Sequence, residues 1–348
     1  MKILINLPDL RFLGGVANHY SGLSQYWNEN VSYNVVGRRA FCKSISGTFL
    51  LPYDIVKFVI KLLIIRPDVV LLNPSLLKRA IKRDFIFLRI AKFFNIKTAL
   101  FIHGFNLDYA NIVNKDWLVR RFNQADLIFI LAEQFKDLLR TWGVNIPIAL
   151  STTKVANYLV DDFVIDNKEY TRNILFLARV EEAKGVYITI NAYIILKQEF
   201  PDLTLTIAGN GTELQNVKNY IAKHNVTDVQ ILGSVAGDEL INVFKTAGLY
   251  ALPSSHGEGM PTSVLEAMAF GLPVFTTKVG GLPDFFENNK MGFITDSLQS
   301  VDFANAMRPY LTNKELYQEV SKYNHLYAMQ HFLASKVAMN IEKQLKAI

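Results

Sequence analysis

The sequence has one cysteine, Cys42, and no apolar run long enough to span a bilayer. A single cysteine cannot form a disulfide within the chain, which suits a reducing cytoplasm. A spanning helix needs roughly 18 consecutive apolar residues. The first apolar run is broken by Pro8 and Asp9, which is too early for a signal peptide. We therefore expect a cytoplasmic protein, either soluble or bound peripherally to the inner face of the cell membrane.

Several chemical motifs are also missing from the sequence. It contains no Walker lysine loop, no Cys/His spacing for zinc and no G-x-S-x-G elbow, which argues against P-loop, zinc and α/β-hydrolase chemistry. No recognised nucleic-acid motif accompanies the basic residues, so a nucleic-acid partner is not expected. The pair Asp161–Asp162 is a poor metal site, and we predict that no metal and no cofactor are required.

The net charge of +6 is unevenly distributed. Residues 1–160 hold 21 Lys and Arg against 10 Asp and Glu, whereas residues 161–348 hold 16 against 21. This split indicates that the first half meets an anionic partner. Two segments, 53–66 and 77–97, interleave basic and large apolar residues. Such helices can lie on anionic membrane surfaces, or their apolar faces can simply pack on a sheet; the sequence leaves both interpretations open.

Length and hydrophobic pattern predict an α/β protein with two domains of the doubly wound type. A chain of 348 residues exceeds one ordinary core, and strand-length apolar runs alternate with helical patterns, which indicates parallel sheets. We predict domains at 1–160 and 161–330, with a polar linker at 160–172. The predicted strands are 2–7, 68–73, 97–102, 126–131, 147–151, 173–178, 203–208, 229–232, 248–252 and 274–277.

Two carboxylates eight residues apart, Glu258 and Glu266, flank a glycine-rich turn that runs into a predicted helix. Gly257 and Gly259 let the backbone approach a ligand closely because they have no Cβ. Pro261 and Thr262 suit the first positions of a helix, where a missing N–H is tolerated and a hydroxyl can cap. Free N–H groups at such a terminus favour anions.

With its flanking G-E-G-M-P-T and G-L-P, this segment resembles glycosyltransferase family 4. The resemblance implies the GT-B fold, two Rossmann-like domains facing across a cleft, with a final helix at about 331–348 joining the first domain. It implies that Glu258 contacts hydroxyls of the donor sugar and that Glu266 binds the ribose. Neighbouring donor contacts would come from Gly259, Met260, Pro261 and Thr262.

Two cations follow the predicted strand 173–178. A departing diphosphate gains charge as the glycosidic bond breaks, and an Arg and a Lys can stabilise it without a metal. Arg179, Lys184 and Gly185 resemble the family's Arg…Lys-Gly element. The alternative is that the two cations are solvated and pair with Glu181 and Glu182.

Three further positions are candidates at strand ends. Gly14 and Gly15 follow the first strand, where backbone amides could approach a phosphate or an acceptor sugar, although tight turns often use such a pair. His103 ends the strand 97–102; a lone His is usually structural, but in the family a His at this place approaches the donor sugar. Val235, after the strand 229–232, could border the base.

These resemblances imply a retaining hexosyltransferase that uses a nucleotide-diphosphate sugar, with a UDP-sugar favoured. Its acceptor would be a saccharide, lipid-linked in bacterial surface polysaccharide synthesis, which fits the basic first half. Two alternatives stay open: another GT-B enzyme such as a nucleotide-sugar epimerase, and a non-catalytic nucleotide-sugar-binding protein.

Overall fold

A computed structural model describes residues 1–11, 14–37, 50–76, 78–104, 110, 112–255, 257 and 259–348. The predicted site residue Glu258 lies outside the described residues, as do Leu13, Leu77 and Cys42. The chain divides into two compact units, one of residues 1–154 and 334–348 and one of residues 155–333. The sequence-based division was placed at 160/161 and 330/331.

The first unit is built on a six-stranded sheet with the order β2-β1-β3-β4-β5-β6. Neighbouring strands in this sheet are all parallel. The strands are β1 (Lys2–Leu7), β2 (Asn30–Val35), β3 (Val69–Leu72), β4 (Lys97–Ile102), β5 (Leu127–Ile130) and β6 (Ile148–Leu150). The helices are α1 (Gly15–Leu23), α2 (Leu51–Ile65), α3 (Lys78–Phe93), α4 (Lys115–Phe122), α5 (Glu133–Trp142) and α12 (Ala334–Lys346).

The central strands of this sheet are continuous apolar runs, as expected for parallel strands covered on both faces. Ile3, Leu4 and Ile5 of β1 are fully buried. The terminal helix α12 is tied to this unit by the buried carboxylate of Glu342, which accepts hydrogen bonds from the backbone N–H groups of Asn28 and Glu29 at 2.8 Å. A buried carboxylate needs such donors, so these bonds fix where α12 packs.

The second unit has a six-stranded parallel sheet with the order β12-β11-β10-β7-β8-β9. Its strands are β7 (Asn173–Leu177), β8 (Thr204–Ala208), β9 (Val229–Gly233), β10 (Leu249–Leu252), β11 (Val274–Thr277) and β12 (Gly292–Thr295). Its helices are α6 (Val186–Lys197), α7 (Leu214–Lys223), α8 (Gly237–Thr246), α9 (Thr262–Ala269), α10 (Ser300–Thr312) and α11 (Lys314–His331).

Each sheet has a point where the strand order reverses direction. In the first unit the reversal falls between β1 and β3, and in the second between β7 and β10. In open α/β sheets, ligands bind outside the carboxyl ends of the strands at such a point. The segments that follow β1, β3, β7 and β10 are therefore the places to look for a site.

The two sheets confirm the predicted fold class, and each predicted strand is present. The sequence analysis missed β2 and β12, which are the edge strands next to β1 and β11. β2 has only one fully buried residue, Asn34, and its sequence N-V-S-Y-N-V lacks the apolar run by which a central strand is recognised. Most of the predicted linker forms no α-helix or β-strand, but Lys168 within it donates to the carbonyls of Phe244, Lys245 and Ala247 and caps the end of α8.

Candidate functional site

The loop after β7 holds the two predicted cations close to one another. Arg179 lies two residues beyond the strand, and its Nη1 pairs with Glu181 Oε1 at 2.7 Å while 60% of the side chain stays exposed. Lys184 ends a short 3-10 turn, Glu182–Lys184, and is only 5% exposed. The pairing of Arg179 with Glu181 matches the structural alternative weighed for the sequence, but it leaves most of the guanidinium side chain open to solvent.

The electrostatic setting of Lys184 differs from that of a surface lysine. Burial, followed by the nearby charge of Arg179, lowers the pKa of Lys184 to about 8, and the charge of Glu181 opposes this shift. The amine is thus still mostly protonated at pH 7, but its charged form is less stable than in water. An anion that bound beside Arg179 and Lys184 would compensate the charged amine for its loss of water. It would also offset the repulsion between the two cations.

Gly185, next to Lys184, is required by the packing of this loop against the end of β10. Its φ of +79° lies in the left-handed region, and a Cβ there would stand 2.1 Å from the Pro253 carbonyl oxygen. The N–H of Ser255 also donates to the Ala183 carbonyl at 2.9 Å. The loops after β7 and β10 are therefore fixed to each other at the reversal of the strand order.

A buried tyrosine connects this edge to α9. The Tyr250 hydroxyl is within hydrogen-bond distance of the Leu177 carbonyl, at 3.0 Å, and of Ser263 Oγ, at 2.7 Å. The pKa of Tyr250 is raised mainly by burial and also by the charge of Glu266 on α9. The end of β7, strand β10 and the helix that holds Glu266 thus meet at one polar cluster.

The start of α9 differs in one respect from the prediction. Pro261 precedes the helix as its N-cap, Thr262 is the first helical residue, and no side-chain cap is present among the described residues, so the predicted hydroxyl cap is wrong. The cause is that Pro261 occupies the cap position itself and offers no side-chain acceptor. Among the described residues, no side chain at the cap position uses the first N–H groups of α9.

Other features of this segment agree with the sequence. Glu266 lies more than one turn inside α9 and is half-buried, whereas Val264, Leu265 and Met268 are fully buried. Met260 is 8% exposed, and the carbonyl of Gly259 accepts a hydrogen bond from the N–H of Gly281 at 3.0 Å. The last contact holds Gly281 against Gly259, two residues before the N-cap of α9.

The ends of β8 and β9 continue the same edge. A Cβ on Gly211 would stand 2.1 Å from the Val180 carbonyl oxygen, so only glycine lets this turn pack on the loop of Arg179. The Gly209 N–H donates to the Gly233 carbonyl at 2.6 Å, and Asn210 Nδ2 donates to Ser234 Oγ at 2.9 Å. Val235 follows and is half-buried.

In the first unit, Gly14 and Gly15 lie at the start of α1 and are exposed. A Cβ on either would meet no described atom within 4 Å, and Gly14 has a φ of 173°, which any residue can adopt. The packing of the described residues therefore does not require glycine here. A close approach of a ligand remains the explanation that the sequence suggested.

His103 follows β4 and belongs to a polar cluster at the carboxyl edge of the first sheet. Its Nε2 is 3.1 Å from Asn73 Oδ1, which also accepts a hydrogen bond from the Tyr20 hydroxyl at 2.7 Å. Asn73 Nδ2 donates to the Asn6 carbonyl at 2.7 Å, which orients the amide. Because Asn73 Oδ1 can only accept, the proton of the His103 ring is on Nε2 and Nδ1 is an acceptor.

A second histidine, His19 on α1, packs against the first. The ring centroids of His19 and His103 are 4.9 Å apart, and His103 stacks on Phe101 at 3.9 Å. His19 is 2% exposed, and neither of its ring nitrogens has a hydrogen-bond partner among the described residues. Burial lowers the pKa of His103 to about 3 and that of His19 well below its usual value, so both rings are neutral at pH 7.

The sequence analysis missed His19, Tyr20, Asn73 and Tyr250. Asn73 offered a signal, since it is a polar residue at the end of a buried strand next to a strand-order reversal. Tyr20, His19 and Tyr250 gave none, because aromatic residues inside apolar patterns are usually core residues. The described residues contain no group of three or more His, Cys, Asp or Glu that could hold a metal ion. None of their helices is both long and apolar enough to cross a membrane.

Comparison with known proteins bears on the second unit first. Residues 160–326 match the family of glycosyl transferases group 1. This range contains Arg179, Lys184, Val235, Met260 and Glu266, and it lies entirely within the second unit. The match supports the glycosyltransferase class for this part of the chain.

Two curated relatives are glycosyltransferases of polysaccharide synthesis by name. The chain is 35% identical over 127 residues to the amylovoran biosynthesis glycosyltransferase AmsK of Erwinia amylovora, a match that covers 35% of this chain and 31% of the relative. It is 26% identical over 207 residues to the putative colanic acid biosynthesis glycosyltransferase WcaL of Escherichia coli, covering 57% and 51%. The matches thus span about a third to a half of these relatives.

A solved structure supports the fold over the whole chain. HepE from Anabaena, crystallised in complex with UDP, superposes with a TM-score of 0.76 at 17% sequence identity and covers 100% of both chains. The same protein has also been crystallised with UDP-glucose. At this identity the similarity establishes the GT-B fold alone.

Proposed function

We propose that the protein is a retaining glycosyltransferase that moves a hexose-type sugar from a UDP-sugar to a saccharide acceptor. The main support is the cluster at the strand-order reversal of the second unit. There a half-exposed arginine, a buried lysine and an uncapped helix start adjoin one edge of one sheet. All three favour an anion, and a nucleotide diphosphate is the anion that the resemblance to glycosyltransferase family 4 implies.

In the proposed reaction, the bond between the anomeric carbon and the diphosphate oxygen breaks, and the electron pair remains on that oxygen. Arg179 and Lys184 stabilise the charge that develops there, with N–H groups at the start of α9 as further donors. Glu266 binds the ribose hydroxyls and Glu258 orients the donor sugar. The acceptor hydroxyl oxygen forms the new bond to the anomeric carbon on the face from which the diphosphate leaves. Its proton passes to the departing diphosphate oxygen, and the configuration is retained.

Lys184 and Arg179 supply two positive charges that a metal ion would otherwise contribute, and we propose that no metal is required. In the first unit, the neutral ring of His103 would accept a hydrogen bond from a sugar hydroxyl through Nδ1. The amides of Gly14 and Gly15 would approach a phosphate or the acceptor. Val235 would border the base, where apolar and backbone contacts are enough.

We further propose a lipid-linked saccharide as the acceptor, in bacterial surface polysaccharide synthesis at the inner face of the membrane. The basic first half of the chain supports an anionic acceptor, and the names of AmsK and WcaL support polysaccharide synthesis. The UDP complex of HepE supports UDP as the nucleotide of the donor.

A transfer assay tests the proposal. The protein is incubated with sugar-labelled UDP-sugars and lipid-linked saccharides, without added metal and with a chelator. We expect labelled product with the donor's anomeric configuration, measured by NMR. Arg179→Ala and Glu266→Ala should lower the rate by about 10²–10³-fold. Arg308→Ala is the matched control, because Arg308 forms an exposed ion pair with Glu199. Glu199 precedes β8 and so lies towards the amino ends of the strands of the same sheet, whereas Arg179 follows the carboxyl end of β7.

Other outcomes identify the alternatives. An altered sugar in the recovered nucleotide, without transfer, would indicate an epimerase. Nucleotide binding with no turnover of any donor would indicate a binding protein. Product of inverted configuration would contradict the retaining mechanism, and activity abolished by the chelator would contradict the metal-free one.

A further inference from the structure

Helix α2 exposes a continuous apolar stripe. Five large apolar side chains, spaced three or four residues apart or adjacent, lie on its outer face with 49–75% of their surface exposed. We call them the α2 stripe: Tyr53, Val56, Ile60, Leu63 and Ile64. Exposed apolar residues scattered singly are ordinary, but a contiguous stripe along one helix marks an interaction surface.

The opposite side of α2 is also apolar and is already used by the fold. Phe58 and Leu62 are buried in the core of the first unit, where the rings of Phe58 and Phe87 of α3 are 5.1 Å apart. A helix that is apolar on nearly all sides is normally covered on all sides. The packing of α2 on the sheet, one of the two interpretations of segment 53–66, therefore accounts for one side of the helix and leaves the α2 stripe exposed.

The exposed charged residues that α2 and α3 carry all have the same sign. Asp54 and Asp84 are the only acidic residues of α2 and α3, and each is 1% exposed. On the outer side of α3, Lys82 and Arg89 are exposed and have no hydrogen-bond or ion-pair partner among the described residues. At the end of α3, Phe93 is 85% exposed. We call the α2 stripe together with Lys82, Arg89 and Phe93 the α2–α3 face.

This combination of apolar and basic residues favours one occupant over a second copy of the chain. A symmetric dimer through the α2–α3 face would bring Lys82 and Arg89 towards the same residues of the partner, and like charges would repel. An anionic lipid surface offers acyl chains for the stripe and phosphates for the two cations. Basic helices with large apolar residues bind such surfaces through both terms.

We propose that the α2–α3 face docks on an anionic lipid bilayer. The α2 stripe enters the boundary between headgroups and acyl chains, and Lys82 and Arg89 contact lipid phosphates. The purpose of docking, which is to meet a lipid-linked acceptor, rests on the proposed function. Docking itself requires neither nucleotide nor acceptor.

Vesicle flotation of the full chain tests this proposal. The probes are phosphatidylcholine vesicles with and without phosphatidylglycerol. We expect the wild type to float with the anionic vesicles, less at high salt, and Val56→Ser/Ile60→Ser/Ile64→Ser to bind about tenfold or more weakly. The matched control is Val301→Ser/Leu326→Ser/Met339→Ser, whose three side chains are exposed to a similar 49–56% on other helices.

The charged part of the face is tested separately. Lys82→Gln/Arg89→Gln should lose most of the preference for anionic vesicles while its circular dichroism and unfolding stay those of the wild type. The proposal is overturned if the wild type does not float, if it binds both vesicle types equally, or if the stripe and control variants bind alike. A dimer that the stripe variant abolishes, without vesicle binding, would assign the face to a second copy.

Failure of this inference is distinguishable from failure of the proposed function. Stabilisation by UDP is measured on the same variants in the absence of vesicles. Flotation without any nucleotide binding would retain the docking surface and reject the transferase. Nucleotide binding and transfer to a soluble saccharide without flotation would retain the transferase and reject the docking surface.

Discussion

The two sheets have the same kind of strand-order reversal. The reason for glycine at the carboxyl ends of their strands nevertheless differs between the two units. In the second unit, Gly185 and Gly211 lie so close to neighbouring backbone that a Cβ would stand 2.1 Å from a carbonyl oxygen. In the first unit, a Cβ on Gly14 or Gly15 would meet no described atom within 4 Å. A glycine in a motif can therefore serve the fold or the ligand, and the sequence does not distinguish the two.

This difference separates a rigid edge from an open one. The loops after β7, β8, β9 and β10 are fixed to one another by backbone hydrogen bonds and close backbone contacts, which holds Arg179 and Lys184 in place. At the edge of the first unit, the ordered element is instead a side-chain cluster around Asn73.

The largest effect is expected for Gly185→Ala. The new Cβ would both strain a left-handed backbone and clash with the Pro253 carbonyl, so we expect a loss of about 3 kcal/mol or more in the free energy of unfolding. Urea unfolding measures it. A loss under about 1 kcal/mol would show that the loops after β7 and β10 are not fixed to each other as described.

Two other glycines separate the steric clash from the strain of a left-handed backbone. Gly211→Ala introduces the clash without a left-handed backbone, and we expect a loss of about 2 kcal/mol. Gly237 has a φ of +57° and no described atom within 4 Å of its Cβ position, so Gly237→Ala should cost only about 1 kcal/mol. The reverse order of these two losses would contradict the close backbone contact at Gly211.

An intermediate effect is expected from the pH dependence of His103. Its pKa falls from an unfolded value of 6.5 to about 3, so the unfolded chain binds the proton first as the pH falls. The stability that the neutral ring contributes is present above pH 6.5 and is lost as the pH falls towards 3. Between pH 7 and pH 5, the free energy of unfolding should therefore fall by about 1–2 kcal/mol less in His103→Gln than in the wild type.

Urea unfolding at the two pH values measures this difference. Gln keeps a donor near the position of Nε2 for the bond to Asn73, and His331→Gln, at an exposed position on α11, serves as the control. Equal losses in His103→Gln and the wild type would mean that His103 titrates alike in the folded and unfolded chain.

The smallest effect on stability is expected at the open edge. Gly14→Ala and Gly15→Ala should change the free energy of unfolding by less than about 0.5 kcal/mol, since the added methyl group meets open space. In the transfer assay, the same variants should be slower if the loop contacts a ligand. A large loss of stability would show that glycine at these positions serves the fold after all.

The sequence predicted the fold well because the central strands are strand-length apolar runs that alternate with helical patterns. It missed β2 and β12, whose sequences N-V-S-Y-N-V and G-F-I-T contain no run of three apolar residues. It identified the charged residues of the second-unit edge, since Arg179, Lys184 and Glu266 lie close to a glycine motif in sequence. It could not identify Tyr20 and Tyr250, because their roles depend on partners from 13 to 73 residues away.

The exposed side of α2 shows a further limit of the sequence. Apolar periodicity indicated that segment 53–66 is a helix with much apolar surface, but both packing and membrane binding fit that pattern. Only the burial of Phe58 and Leu62, set against the exposure of Ile60 and Ile64, shows that the helix has a second apolar face that the described residues do not cover.

The central claim is that the edge of the second unit binds a nucleotide diphosphate through Arg179 and Glu266. Thermal unfolding with UDP, GDP and ADP tests it on the wild type, Arg179→Ala, Glu266→Ala and the control Arg308→Ala. We predict that UDP stabilises the wild type and the control, by about 2.7 kcal/mol at a hundred times the dissociation constant, and neither site variant. Absence of stabilisation by any nucleotide, or full stabilisation of Arg179→Ala, would contradict the claim.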